Sequence, residues 1–252
     1  MTQTITVYSS KGGVGKTTLA LNIAGILKSS GKKVLLIDTD PQNSLSGMLG
    51  IENSFGLSEI FHYSLEKLIQ TSVQGIEILP TGIGAMEETN HFMFWVMNHG
   101  EEIREVLRPL WDYFDYIVFD TPPGFSPMTD LAMRLSDTII AVLESDATSY
   151  ATLDLMEKTL NKIKQEFFED KKIYFVTNKV MADEISVNFE TIYRHLFGTM
   201  YLFALPFDSN LKNAGAQMML LEEYNHLSPL HQSLVQMLKK LLPDFNSSDS
   251  RF

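Results

Sequence analysis

A glycine-rich segment near the start of the sequence has the composition of a phosphate-binding loop. Residues 9–18 read Ser-Ser-Lys-Gly-Gly-Val-Gly-Lys-Thr-Thr, between an apolar run at Thr4–Tyr8 and a helical pattern at Thr17–Ser29. Glycines let the backbone wrap closely around phosphate oxygens, and the first turn of a helix supplies amide donors and positive dipole. This order of strand, loop and helix predicts a P-loop. The expected phosphate contacts are Lys11, Gly12, Gly13, Val14, Gly15, Lys16, Thr17 and Thr18.

The side chains of this loop suit a nucleoside triphosphate. Lys16 adds positive charge, the Thr17 hydroxyl can ligate Mg²⁺, and Thr18 can reach the inner phosphate oxygens. The ordinary pattern G-x-x-x-x-G-K-[ST] needs glycine where this chain has Ser10 and requires no lysine at Lys11. The alternative, a glycine-rich turn without a ligand, is weak beside both lysines and the flanking elements.

A second apolar run, Lys33–Ile37, ends in two closely spaced carboxylates. It leads into the segment Asp-Thr-Asp-Pro-Gln-Asn, in which Asp38 and Asp40 are the acids. Open α/β sheets place their ligand chemistry at the carboxyl ends of the strands. A water beside a γ-phosphate needs such an acceptor, because most of the catalysis is positioning and electrostatics. The alternative is a strand-terminating Asp/Pro turn.

A third run, Tyr116–Phe119, ends in Asp120 and is followed by Thr-Pro-Pro and Gly124. This is the pattern of a Walker B strand followed by a switch loop. Asp120 is expected to hold Mg²⁺ through water, because Mg²⁺ keeps most of its hydration shell and is held by few carboxylates. Gly124 gives the loop freedom to move as the γ-phosphate appears or leaves.

These motifs together resemble the ParA/MinD superfamily of ATPases. The pattern K-G-G-x-G-K-[ST] is similar to the deviant Walker A loop of that superfamily, whose additional lysine, here Lys11, reaches across an ATP-bound dimer to the partner's nucleotide. The D-x-D-P-Q element implies that Asp40 orients or activates the attacking water while Asp38 supports the site. The resemblance implies ATP or ADP as ligand and a homodimer with ATP. The implied catalytic residues are Lys11, Lys16 and Asp40. The implied Mg²⁺ ligands are Thr17 and, through water, Asp38 and Asp120.

Two later segments resemble the part of these ATPases that holds the base. Asn178 follows the apolar run at Ile173–Thr177 and resembles the residue that contacts adenine. Pro206 and Asp208 resemble the loop that closes over the base. A strand-end asparagine is also a common turn residue, so an ordinary turn remains the alternative at both segments.

The order of elements predicts an α/β fold with a doubly wound, mostly parallel sheet flanked by helices. The apolar runs are short, continuous and unalternating, as in strands buried on both faces. The expected strands are Thr4–Tyr8, Lys33–Ile37, Gly75–Leu79, Tyr116–Phe119, Thr138–Leu143, Ile173–Thr177 and Met200–Leu205. The expected helices are Thr17–Ser29, Gly100–Trp111, Tyr150–Phe168 and Val187–Phe197. With no linker-like segment, residues 1–245 are expected to form one P-loop ATPase domain and 246–252 a disordered tail.

Composition excludes several other classes of function. The chain has 252 residues, a formal net charge of -11 and no cysteine. Disulfides, thiolate zinc sites and thiol nucleophiles are therefore excluded. The histidines show no metal-binding spacing, so nucleotide-bound Mg²⁺ is the one metal implied. We expect a cytoplasmic protein, because neither a signal peptide nor a membrane span is present in the sequence.

Two apolar segments allow more than one interpretation. The cluster Phe92–Met97 is either core packing or a buried helix start, or it is a partner or dimer surface. The segment Leu230–Leu242 is an amphipathic pattern with Lys239 and Lys240 near its end, and it resembles in outline the membrane-targeting tail of MinD. A closing helix packed on the sheet is the interpretation we favour, because the net charge opposes an anionic membrane.

Three stretches resemble the BcsQ (YhjQ) branch, the ATPase of bacterial cellulose-synthesis operons: Asp38–Ser44, Asp120–Gly124 and Asp146–Leu153. This resemblance implies protein partners from the cellulose machinery and recruitment to the inner membrane or cell pole. The first alternative is a partition ATPase of the ParA type that binds DNA non-specifically. Between Val180 and Leu238, however, Arg194 and Lys212 face six acids, and phosphate contacts carry most non-specific DNA affinity. The second alternative is a nucleotide-binding scaffold without catalysis.

Overall fold

The computed structural model describes residues 2–51, 55–83, 86–167 and 171–245. Eight strands of these residues join one sheet. The strands are β1 (Gln3–Tyr8), β2 (Val34–Asp38), β3 (Gln70–Thr71), β4 (Glu77–Leu79), β5 (Tyr116–Asp120), β6 (Thr138–Glu144), β7 (Lys172–Val180) and β8 (Tyr201–Pro206). The predicted tail at 246–252 lies outside the described residues.

The strands run in the order β3-β4-β2-β5-β1-β6-β7-β8. Every neighbouring pair is parallel except β3 with β4, which is antiparallel. The predicted doubly wound, mostly parallel sheet is therefore confirmed. The seven predicted strands are present, with bounds that differ by a few residues. Strand β3 was missed because two polar residues, Gln70 and Thr71, give no apolar run to detect.

Helices cover both faces of the sheet. They are α1 (Lys16–Ser29), α2 (Ser44–Met48), α3 (Leu65–Leu68), α4 (Met86–Asn98), α5 (Gly100–Leu107), α6 (Leu110–Tyr113), α7 (Pro127–Leu135), α8 (Ala147–Ala151), α9 (Leu153–Phe167), α10 (Glu184–Phe197), α11 (Asn210–Ala216), α12 (Leu221–Asn225) and α13 (Pro229–Leu241). Within β2, Leu36 joins the core cluster of α1 and α13, whereas its neighbours Leu35 and Ile37 join the cluster of α4 and α7. Burial on both faces accounts for the unalternating apolar runs.

Three predicted helices differ from those observed. The segment predicted as Gly100–Trp111 is divided into α5 and α6 at Pro109, which lacks the amide hydrogen that a continuous helix needs. The segment predicted as Tyr150–Phe168 is divided into α8 and α9, and it begins earlier because the Asp146 carboxylate caps α8 by accepting from the Ser149 amide at 2.7 Å. Likewise, Asp183 caps α10 through the Ser186 amide, so α10 begins before the predicted Val187.

The two ambiguous apolar segments have different outcomes. Helix α13 buries Leu230, Leu234 and Leu238 in the core beside α1, which confirms the closing helix. Helix α4 is mixed: Phe92 is buried, whereas Phe94 and Met97 are 70% and 69% exposed. Core packing is therefore confirmed for Phe92, whereas a partner surface at the exposed residues stays a prediction. No helix in the described ranges is long and apolar enough to cross a membrane.

Candidate functional site

The glycine-rich loop connects β1 to α1 and takes a conformation that favours glycine. Gly13 and Gly15 have φ of 78° and 95°, in the left-handed region. Gly15 is also the N-cap of α1, and no side chain in the described ranges caps that helix. The amide groups of the first turn of α1 therefore have no capping side chain, which is the arrangement that binds anions at a helix N-terminus.

The end of β7 holds this loop in place. The Asn178 side chain donates through Nδ2 to the Val14 carbonyl at 2.8 Å. The Lys179 ammonium donates to the Gly13 carbonyl at 2.6 Å. A Cβ on Gly15 would lie 2.5 Å from Asn178 Nδ2. Contact with Asn178 therefore adds a second reason for glycine at this position.

Lys16, predicted to bind phosphate, is buried at the start of α1. Its side chain donates to the Lys11 carbonyl at 3.4 Å. Burial lowers the pKa of the Lys16 ammonium, against the attraction of Asp120 and Asp40. A bound anion would stabilise the charged ammonium at this position.

Asp120 closes β5 beneath the loop, and its carboxyl is fully buried. Among the residues that the structure describes, neither carboxyl oxygen has a partner in normal hydrogen-bond geometry. Burial raises the pKa of Asp120 well above its usual range, and Asp38 adds to this rise, whereas the nearby Thr17 hydroxyl and Lys16 oppose it. A buried carboxyl without a hydrogen-bond partner next to a threonine hydroxyl fits a hard cation such as Mg²⁺.

The Asp38 carboxylate accepts hydrogen bonds from nearby residues of its own chain segment. Its Oδ1 accepts from the Asp40 amide at 3.0 Å, and its Oδ2 accepts from the Ser46 amide and hydroxyl at 3.3 and 3.1 Å. Burial raises the pKa of Asp38 to about 7, against these hydrogen bonds. Asp38 therefore organises the turn that carries Asp40, and its predicted water-mediated contact with Mg²⁺ stays a prediction.

Asp40 follows β2 and lies close enough to Lys16 to raise the pKa of that ammonium. Asp40 is 8% exposed, and its Oδ1 accepts from the Gln42 amide at 2.9 Å. The switch segment also contacts the loop, because the Gly124 amide donates to the Ser9 carbonyl at 2.9 Å. The structure thus brings the P-loop, Asp40, Asp120 and the switch segment to one edge of the sheet.

Lys11 is held by two carboxylates that the sequence patterns did not single out. Its Nζ lies 2.7 Å from Glu144 Oε2 and 2.7 Å from Asp146 Oδ2. Burial lowers the pKa of Lys11, but the two carboxylates raise it more, so the net shift is upward. Glu144 also accepts from Lys179 through Oε1 at 2.6 Å. A signal for Glu144 was present, because β6 ends in a carboxylate at the same sheet edge as β2 and β5.

A cavity of about 340 Å³ adjoins the loop, and the residues predicted to hold adenine line it. They are Asn178, Pro206 and Asp208, with Gly15 and Thr18 from the loop and first turn. The Asp208 carboxylate accepts from Asn210 and from the Leu230 amide. Burial raises the pKa of Asp208, but its hydrogen bonds outweigh burial and lower it. The predicted adenine contacts are therefore close together, although the carboxylate of Asp208 already has partners.

The chain is similar to known proteins in sequence and in fold. A family model described as an AAA domain matches residues 2–174. The chromosome partitioning protein ParA of Myxococcus xanthus is 31% identical over 180 residues, which cover 67% of this chain and 62% of that protein. The chain therefore spans less than two thirds of the length of this relative.

Two solved structures resemble the whole fold. A variant of McdA from Cyanothece in complex with ATP has a TM-score of 0.82 at 20% identity and covers 97% of this chain and 98% of its own. MinD from Pyrococcus horikoshii in complex with Mg-ADP has a TM-score of 0.81 at 22% identity, with 100% of both chains covered. At these identities the likeness shows the fold alone. The AAA-domain model matches more than half of the chain, and the chain is similar to ParA of Myxococcus xanthus in sequence and to MinD in fold. The protein therefore belongs to the ParA/MinD-type family of P-loop ATPases.

Proposed function

We propose that the protein binds and hydrolyses Mg-ATP and uses this reaction as a switch between monomer and dimer. One observation carries the proposal: a buried Lys16 lies near Asp120 at the N-terminus of α1, which no side chain of the described residues caps. Among those residues, neither carboxyl oxygen of Asp120 has a partner in normal hydrogen-bond geometry. A triphosphate suits the ammonium and the amide groups of α1, and a hard cation suits the carboxyl.

Asp40 is the residue that we assign to the attacking water. It lies at the carboxyl end of β2 near Lys16, and its backbone is fixed by Asp38. Phosphoryl transfer is catalysed mainly by positioning and electrostatic stabilisation, so a fixed carboxylate beside the γ-phosphate is the group required. Mg²⁺, held by Thr17 and through water by Asp120 and Asp38, would neutralise charge on the phosphates.

We assign the base to the cavity beside the loop. Asn178 and Pro206 line it and lie at the ends of neighbouring strands β7 and β8. Because the Asp208 carboxylate accepts hydrogen bonds from Asn210 and Leu230, its part would be to fix the wall of the cavity. The proposal treats residues 1–245 as one domain, since the described strands share one sheet.

We further propose that the loop is a deviant Walker A loop and that Lys11 reaches the partner's nucleotide in an ATP-bound homodimer. The lysine is extra to the ordinary P-loop pattern. In the monomer its ammonium contacts Glu144 and Asp146, so it would have to leave both carboxylates on dimerisation. Protein partners would then distinguish monomer from dimer.

The cargo that we favour is the bacterial cellulose synthesis machinery, through protein partners that recruit the ATPase to the inner membrane or cell pole. Its support is the BcsQ-like stretches at Asp38–Ser44, Asp120–Gly124 and Asp146–Leu153. The second candidate is DNA partition, which the similarity to ParA of Myxococcus xanthus favours. The scarcity of basic residues between Val180 and Leu238 weighs against DNA.

Phosphate release from Mg-ATP tests the ATPase proposal. We expect slow turnover by the wild type and a decrease of about 100-fold or more in Asp40→Ala, which should still bind nucleotide. Nucleotide binding without phosphate release by the wild type would instead identify a non-catalytic scaffold. A gel shift with random duplex DNA and Mg-ATP at low and moderate salt separates the two cargoes. Tight, salt-sensitive binding would favour partition.

A further inference from the structure

Glu144 lies between two lysines that come from different parts of the chain. Its Oε2 is 2.7 Å from Lys11 Nζ, and its Oε1 is 2.6 Å from Lys179 Nζ. Lys11 also contacts Asp146 Oδ2 at 2.7 Å. The two ammonium groups and two carboxylates form a neutral cluster beside the P-loop, with Glu144 shared between the lysines.

Lys179 is placed for this contact by an unusual backbone. It has φ of 57°, in the left-handed region that few residues other than glycine adopt. The pairing of β7 with β8 is irregular between Thr177 and Val180, where the strand carries this residue. Strained backbone conformations persist where the surrounding contacts hold them, as Gly13 and Glu144 do here.

Departure of Lys11 would change the charges of this cluster. The Glu144 side chain is 17% exposed, so leaving it unpaired would be unfavourable, whereas Asp146 is 40% exposed and its other oxygen accepts from the Ser149 amide. With Lys179 in place, Glu144 keeps an ammonium partner after Lys11 leaves. Without Lys179, Lys11 is the one ammonium partner of Glu144 among the described residues. Glu144 would then keep Lys11 in its monomer position and oppose dimerisation.

We propose that Lys179 is a positioning residue that neutralises Glu144 when Lys11 leaves, and thereby sets the affinity of the ATP-dependent dimer. This inference rests on the proposed function, because it requires that Lys11 moves to a partner. A purely structural alternative exists: through the Gly13 carbonyl, Lys179 could simply brace the P-loop. Neutralisation requires the Glu144 carboxylate, whereas bracing of the P-loop through Gly13 does not.

A double-mutant cycle separates them. The dimer dissociation constant is measured by light scattering with Mg-ATP for the wild type, Lys179→Met, Glu144→Gln and the double variant, and ADP affinity is measured on the monomers. We expect about a tenfold weaker dimer for Lys179→Met and a tighter dimer for Glu144→Gln. In the Glu144→Gln background, Lys179→Met should change the dimer constant by less than about twofold, because the carboxylate that Lys179 contacts is gone.

Two further variants control for folding and charge. Lys179→Arg keeps the cation and should restore most of the dimer affinity, and thermal unfolding of each variant reports on folding. Lys172→Met makes the same change at the exposed start of β7 and should leave the dimer unaffected. An equal loss in both Glu144 backgrounds, or no loss in Lys179→Met, overturns the inference while the proposed function stands. Failure of the wild type to dimerise overturns both.

Discussion

Asp38 and Asp120 lie opposite each other at the carboxyl ends of the neighbouring parallel strands β2 and β5. Burial raises the pKa of both carboxyls. Asp40 adds to the rise in the pKa of Asp38, and Asp38 adds to the rise in the pKa of Asp120. Their hydrogen bonding differs. Asp38 accepts from Asp40 and Ser46, whereas neither oxygen of Asp120 has a partner in normal geometry within the described part of the chain. Two acids of similar burial are therefore suited to different tasks: Asp38 organises the site, and Asp120 is free to hold a cation.

Replacing Asp120 by asparagine should separate stability from metal binding. The substitution removes a buried charge beside Asp38, so we expect the metal-free protein to gain about 1 kcal/mol, or roughly 2–4 °C in melting temperature. The Mg²⁺-dependent part of ADP affinity should fall by about tenfold or more. Thermal unfolding and ADP titration, each in Mg²⁺ and in EDTA, measure both effects. The exposed Asp112→Asn is the control. A destabilised variant with unchanged Mg²⁺ dependence contradicts this assignment.

Asp38 should make the stability of the metal-free protein depend on pH. Its folded pKa is raised from 3.8 to about 7, so the folded state binds the proton more tightly than the unfolded chain. The stabilising contribution of this proton to the free energy of unfolding is present below pH ~4 and is lost as the pH rises towards about 7. The free energy of unfolding should decrease less steeply with pH in Asp38→Asn than in the wild type. The two slopes should differ by at most about 1.4 kcal/mol per pH unit. Urea unfolding between those pH values measures it. An unchanged slope would mean that the Asp38 pKa is ordinary.

Gly15→Ala should impair the nucleotide site more than backbone strain alone explains. The new Cβ would meet Asn178 Nδ2 at 2.5 Å in addition to the strain of φ 95°. Gly31→Ala is the matched control, because its φ is 79° and nothing lies within 4 Å of a Cβ there. We expect each to lose about 1–2 kcal/mol from strain. Gly15→Ala should also lose ADP affinity by about tenfold or more. Equal ADP affinity in the two variants would count against the close contact with Asn178.

Helix α4 offers a matched pair of aromatic residues with different burial. Phe92 is 8% exposed, whereas Phe94 is 70% exposed. Phe92→Ala should lower the free energy of unfolding by about 3–5 kcal/mol through a core cavity. Phe94→Ala should change it by less than about 0.5 kcal/mol. Urea unfolding of both variants measures the difference. Comparable losses would show that Phe94 is packed within the chain.

Much of the fold follows from local patterns in the sequence. Runs such as Val34–Asp38 are apolar at every position before the acid, because helices cover both faces of the sheet. The short helix α7 was missed although Ser126 and Pro127 form an N-terminal signal, since its apolar pattern extends over too few residues. Helix starts at Asp146 and Asp183 were likewise set by capping rather than by apolar periodicity.

The parts of the site that could be predicted are those whose functional residues lie together in one short stretch of sequence. The P-loop, Asp40 and Asp120 each follow an apolar run, so their common position at one sheet edge follows from the topology. The contact of Lys11 with Glu144 joins residues 133 apart in the sequence, and no local pattern indicates it. The left-handed backbone of Lys179 was also undetectable, because lysine is not a residue that favours that conformation.

Light scattering with Mg-ATP on the wild type, Lys11→Ala and Asp40→Ala tests the central claim most directly. The account predicts that the wild type and Asp40→Ala form dimers, because Asp40 acts after ATP has bound, and that Lys11→Ala remains monomeric. With ADP all three proteins should be monomers. A wild type and an Asp40→Ala variant that both stay monomeric with saturating Mg-ATP would contradict the account.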